Sequence, residues 1–197
     1  MAVPEYLTTT VELRSGERVT IRPMSPEDAE RFVAYVEGLS TETRSRYGPH
    51  PFDRETAEGI CAALNPADIL RMAAFVDDGA DERMVAYFLL KMGALKSDCE
   101  RYAAREDPLD GETDCALAPS VADDYQDRGL GSLILGHILS SAARMGRRRV
   151  VLWGGVQASN LRAVHFYTKF GFRKVGEFTN DRANDDMVLD LARLPWT

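Results

Sequence analysis

Cysteine, histidine and long apolar runs are all scarce in this sequence, and each scarcity removes a class of function. The three cysteines, Cys61, Cys99 and Cys115, form no C-x-x-C and no zinc spacing, so reduced thiols packed as small hydrophobes are expected, with no metal. No apolar stretch approaches the length of a bilayer span, and the segment from Met1 to Leu7 lacks the basic start and apolar core of a signal peptide. A cytoplasmic chain with no membrane partner is therefore expected. A net charge of −7 argues against nucleic acid as a partner. There is no Walker-type G-K-[ST] and no G-x-S-x-G of a serine hydrolase. No internal repeat or low-complexity tract interrupts the 197 residues, which predicts one domain, 1–197, with a real core.

The charge that is present is unevenly spread. From Tyr125 to Val175 nine basic residues stand against one acid, Asp127, whereas from Ser97 to Asp124 nine acids stand against Arg101 and Arg105. A basic half suits a polyanionic ligand and an acidic neighbour suits a cationic one, though solvated faces give the same pattern.

Along the chain, Val11 to Leu13 and Val19 to Ile21 alternate apolar and polar residues around Ser15-Gly16-Glu17, which predicts a hairpin. Ser25, Pro26, Glu27 and Asp28 form a helix start, with Phe32, Val33 and Val36 as its apolar stripe. Asp53 is placed to cap a helix running to about Leu64. Met72 to Val76 and Met84 to Met92 read as strands joined by Asp77-Asp78-Gly79. Residues about 94–111 are polar and aperiodic, and predict an exposed insertion. Thr113 to Val121 is a strand in which Pro119, lacking an N–H, marks a bulge or a parting from its neighbour. Leu130, Leu133, Ile134 and Ile138 then set one face of a helix on the sheet. Arg148 to Trp153 is a buried strand. Ser159 or Asn160 caps a helix on which Ala163, Phe166, Tyr167 and Phe170 share a face. Phe172 to Phe178 and Met187 to Leu191 are the last strands, joined by a polar turn from Asn180 to Asp186.

The chain is organised around Gln126-Asp127-Arg128-Gly129-Leu130-Gly131. Two glycines separated by one residue at a helix start leave backbone N–H groups bare and close together. Such a nest, with the positive end of the helix, binds phosphate without a lysine, and Arg128 adds charge. An ordinary tight turn also explains a lone G-x-G, and Ile134 stands where a Rossmann fingerprint requires its third glycine. About thirty residues on comes Asn160-Leu-Arg-Ala163-Val-His-Phe166-Tyr167-Thr-Lys-Phe-Gly171-Phe172. The pair, Q-x-x-G-x-G and N-x-x-A-x-x-F-Y-x-x-x-G-F, resembles the acetyl-CoA signature of the GNAT N-acetyltransferase superfamily. The segment from Leu39 to Phe52 resembles, more loosely, the bacterial protein-lysine acetyltransferase branch.

That resemblance implies an α/β (α+β) GNAT fold: a mixed, strongly twisted sheet of about seven strands, flanked by helices, with splayed central strands. It implies an N-acetyltransferase moving an acetyl group from acetyl-CoA to a primary amine by direct attack in a ternary complex. Gln126, Asp127, Arg128, Gly129, Leu130, Gly131 and Ser132 would hold the pyrophosphate, and Pro119, Ser120 and Val121 would line the pantetheine arm. Asn160 and Tyr167 would also meet the cofactor. Tyr167 is the expected general acid, since a phenol stays protonated at neutral pH and can donate to sulfur. Many relatives of the branch carry a glutamate base where this chain has Ala116. Asp114 and Glu112, two and four residues earlier, are the substitutes expected on the same strand face. Arg46, Tyr47 and His50 are expected on the acceptor side. The acceptor would be a protein lysine, a polyamine-like cation or an amino-bearing small molecule, and the enzyme a monomer or homodimer. Two rivals stay open: a longer acyl donor, favoured by a wide pocket near Trp153 and Met92, and a non-catalytic acyl-CoA-binding regulator.

Overall fold

The computed structural model describes residues 4–77, 79 and 81–194, which fall into two compact units, Met1–Leu89 with Pro119–Ser141, and Leu90–Ala118 with Ala142–Thr197. Strands β4 (Glu82–Met92) and β5 (Asp114–Val121) and helix α5 (Leu130–Arg144) run through both. The fold is mixed α/β, with mostly antiparallel strand pairing and flanking helices. No helix among the described residues is long and apolar enough to cross a membrane.

In the first unit the expected hairpin forms from β1 (Thr9–Glu12) and β2 (Arg18–Pro23), with Val11 opposite Val19. β2 pairs antiparallel with β3 (Ile69–Asp77), which is followed by β4. Of the turn between these two strands Asp78 lies outside the described residues, while Gly79 takes φ +88 and donates its N–H to the Asp77 carboxylate at 2.8 Å. Ser25 and Asp28 cap each other reciprocally, and one 3-10 turn leads into α1 (Ala29–Gly38), which buries Phe32, Val33, Tyr35 and Val36. A short helix, α2 (Thr41–Ser45), follows. α3 (Arg54–Ala62) starts where Asp53 accepts the Thr56 N–H at 2.8 Å. At the far end of β5, the Ala122 N–H donates to the Val85 carbonyl at 2.9 Å. Strand alternation therefore turns the Val121 N–H away from β4.

In the second unit β5 runs parallel to β6 (Arg149–Leu152), and their register ends at Leu117 opposite Leu152, closed by the Trp153 N–H on the Leu117 carbonyl at 2.9 Å. β6 pairs antiparallel with β9 (Ala183–Asp190), which also carries the two-residue β7 (Val156–Gln157) and the bulged β8 (Arg173–Thr179). The expected turn from Asn180 to Asp186 is shorter than its composition suggested, because β9 begins at Ala183.

The stretch expected as an exposed insertion contains a helix, α4 (Lys96–Ala103), whose Tyr102 and Asp98 are fully buried. Tyr102 packs with Ala116, Val151 and Val188 and donates its hydroxyl to the Met187 carbonyl at 3.1 Å. Arg101 and Arg105 meet the buried Asp186 at 2.8 and 2.6 Å, and Arg101 also holds Asp98 at 2.6 Å. On α5 the expected apolar face needs one correction, since Leu133 is exposed and Leu135, Leu139 and Ala142 are buried instead.

Candidate functional site

The loop before α5 is shaped by two left-handed residues, Asp127 at φ 59 and Gly129 at φ +87. A Cβ built on Gly129 would meet nothing within 4 Å, so the glycine leaves an open cradle at the helix start. The first N–H groups of any helix lack intrahelical acceptors and carry its positive end, so the cradle suits an anion. Gln126 braces the loop: its side-chain amide donates to the Val121 carbonyl at 3.1 Å and to the Thr43 hydroxyl at 3.2 Å. Thr43 and Ser40, at the start of α2, donate to the Asp123 carboxylate at 2.7 Å each. Arg128 lies against the Tyr125 ring and pairs with Glu17 at 2.7 Å, so its charge is shared in this structure. Arg149, Arg173 and Lys174 are likewise paired with acids of their own unit, which trims the basic excess read from composition.

Pro119 and Val121 are half-buried on β5, and Ser120 is buried, its hydroxyl accepting from Tyr35 at 2.8 Å. In the second unit Asn160 caps α6 (Leu161–Lys169), accepting the Ala163 N–H at 3.2 Å. Of the four residues expected to share one face, Ala163, Phe166, Tyr167 and Phe170, only Tyr167 is buried. Its ring meets Phe172 edge-on at 5.4 Å, and its hydroxyl makes no hydrogen bond to any described residue. Burial raises its pKa well above that of a free phenol, so it is protonated at neutral pH.

The expected bases fare differently. Asp114 is buried and committed: it takes Arg149 through Nη2 at 2.5 Å and Nε at 3.1 Å, and it accepts the Asp110 N–H at 2.7 Å. Glu112 is exposed in the turn before β5 and shares no strand face with it. Of the two, Asp114 is tied up by Arg149, whereas Glu112 stands open to solvent. Ala116 itself is sealed beneath Tyr102.

Residues 44–172 match the model of the acetyltransferase (GNAT) family. The chain belongs to this family. Among similar curated proteins is acetyltransferase PA5475 of Pseudomonas aeruginosa, 30% identical over 142 residues, which are 70% of this chain and 67% of that protein. Acetyltransferase Pat of Mycolicibacterium smegmatis is 28% identical over 140 residues, 71% of this chain but only 37% of Pat. Among solved structures, the GNAT domain of S. lividans PAT superposes with a TM-score of 0.74 at 21% identity, covering 96% of this chain and 99% of that one. Mycobacterium smegmatis RimJ, solved in complex with CoA-disulfide, superposes with a TM-score of 0.70 at 13% identity, covering 96% and 90%. A GNAT acetyltransferase moves an acyl group from acyl-CoA, and this chain is an acyltransferase of that family. Among the described residues no group of three or more His, Cys, Asp or Glu is placed to hold a metal.

Of the GNAT acceptor residues expected from sequence, the structure brings Tyr47 and His50 together and leaves Arg46 apart. Arg46 is exposed and held by Glu42 at 2.6 Å. Tyr47 stacks on Phe52 at 4.3 Å and meets the His50 ring edge-on at 5.1 Å. His50 Nδ1 lies 2.8 Å from the Pro51 carbonyl and must donate to it, so Nε2, 3.2 Å from the Tyr87 hydroxyl, is the acceptor. Burial lowers the His50 pKa, which keeps the ring neutral. Arg71, at the start of β3, donates to the Tyr87 hydroxyl. Tyr87 was invisible in the sequence because it sits in a strand that read as plain core, and Arg71 because it stands just before the stretch read as a strand, Met72 to Val76.

Proposed function

We propose that this chain transfers an acetyl group from acetyl-CoA to an amine by direct attack within a ternary complex. The observation that carries the reading is the Tyr167 hydroxyl, a buried phenol held protonated and hydrogen-bonded to no described residue. In this reading the amine nitrogen forms the new amide bond as the thioester C–S bond breaks, Tyr167 Oη gives a proton to the departing sulfur, and the proton that the amine loses to water is returned to the Tyr167 phenolate. The loop from Gln126 to Gly131, with Ser132, takes the pyrophosphate. The open space at Gly129 supports that role. Pro119, Ser120 and Val121 line the pantetheine arm, supported by a Val121 N–H turned away from β4. Asn160 meets the cofactor at the start of α6. Bound acetyl-CoA supplies the activated acyl group, and the protein supplies position and the proton.

Calorimetric titration of acetyl-CoA, followed by thiol release with a panel of amines and lysine peptides, tests this. Binding with amine-dependent release is the expected result, and absence of binding overturns it. A second reading, a CoA-binding regulator, gains from the sealed Ala116 and the committed Asp114. Binding without release from any amine would select it.

A further inference from the structure

We propose that Arg71, Tyr47 and Tyr87 form a carboxylate-binding site, and that the amine accepted by this enzyme also carries a carboxylate, as an amino acid does. The inference rests on the acetyl-transfer reading for its word "accepted", while the binding site stands on geometry of the first unit alone. An arginine side chain offers five N–H donors. Arg71 uses its side chain on one neighbour, the Tyr87 hydroxyl, and meets no carboxylate among the described residues. Other half-buried arginines of this unit behave otherwise: Arg22 grips Asp28 at 2.7 Å and Arg31 grips Asp81 at 2.5 Å. A half-buried guanidinium without a counter-ion is costly unless something supplies the charge.

A second donor points the same way. The Tyr47 hydroxyl is buried and no described residue accepts its proton within 3.5 Å; the Tyr87 hydroxyl that it interacts with from farther off directs its own proton to His50 Nε2. The unused groups are therefore all donors, four on Arg71 and one on Tyr47. The neutral imidazole of His50 adds no competing charge, and the Phe52 ring against Tyr47 shields the cluster from water. A planar anion with two acceptor oxygens completes such a set, and a carboxylate matches the guanidinium fork. A purely cationic acceptor, the partner suggested by the acidic stretch from Ser97 to Asp124, leaves every one of these donors unanswered. An amine joined to a carboxylate answers them.

Thermal-shift titration of the full chain with free α-, β- and ω-amino acids, each against its primary amide, reads the site without turnover. At least one acid is expected to raise the unfolding midpoint where its amide does not. Arg71→Gln and Tyr47→Phe, the latter keeping the stacked ring, are each expected to weaken that acid by about tenfold or more, the scale of one charge-assisted hydrogen bond. Both variants are expected to keep wild-type acetyl-CoA affinity. The proposal is overturned if every amide binds as well as its acid, if no amino acid binds, or if Arg71→Gln keeps the wild-type response. Failure of acetyl-CoA to bind wild-type protein would instead remove the transferase reading, and the amino-acid titration would still decide the site.

Discussion

In the proposed mechanism a single hydroxyl separates a binder from an enzyme. Tyr167→Phe removes the proposed proton donor and little else, because the ring contact with Phe172 is kept and no hydrogen bond to a described residue is lost. Loss of a positioned acid costs on the order of a hundredfold in turnover. Steady-state kinetics should therefore show kcat reduced by that amount with the KM for acetyl-CoA unchanged; wild-type kcat would remove Tyr167 from the mechanism. Gly129→Val acts differently. It strains a residue at φ +87, at a cost of roughly 1–3 kcal/mol, and puts methyls into the cradle. Calorimetry is expected to find no acetyl-CoA binding while circular dichroism stays native, and retained affinity would refute the phosphate assignment. His50 offers a pH signature. Its folded pKa is lowered by burial, so its contribution to stability is complete above the ordinary histidine value, about 6.5, and drains away as pH falls through the folded value. Thermal melts between pH 7.5 and pH 5 should lose less in His50→Gln than in wild type.

At the scale of elements, the local signals read true where the partner lies close in sequence. Ser25 with Asp28, Asp53 with Thr56, and Asn160 with Ala163 are three-residue devices, and each caps its helix as the composition indicates. Helix α4 was illegible for the opposite reason. Its polar sequence, with the turn after it, hides two arginines whose partner, Asp186, lies more than eighty residues away, and a tyrosine whose burial depends on Ala116, Val151 and Val188. No window of the sequence contains both halves of that arrangement. The same distance hid the partner of Asp114, whose pairing with Arg149 belongs to the register of β5 with β6. Arg101→Met tests the anchoring. It deprives two fully buried carboxylates of a shared cation, and breaking a buried pair costs roughly 3 kcal/mol or more. Denaturant titration reporting less than half that loss would show that Arg105 alone holds α4 to β9.

For the whole molecule, family and fold were legible because two glycine- and aromatic-bearing motifs are tied to a chain order that the fold preserves. The acceptor chemistry proposed above was not, because Arg71 gives no sign in sequence of lacking a counter-ion. Ligand binding offers a global check by mass action: acetyl-CoA at a hundred times its Kd is expected to raise unfolding free energy by about 2.7 kcal/mol. A shift of that size in wild type and none in Gly129→Val would tie the effect to the loop.

The Val121 N–H, turned away from β4 by the pairing of Ala122 with Val85, acquires a use as a clock. An amide without a strand partner trades its hydrogen for deuterium quickly, and slows only when an acceptor covers it. One backbone site about three-fifths of the way along the chain would then time the arrival and departure of a donor substrate, whatever amine waits on the other side of the reaction.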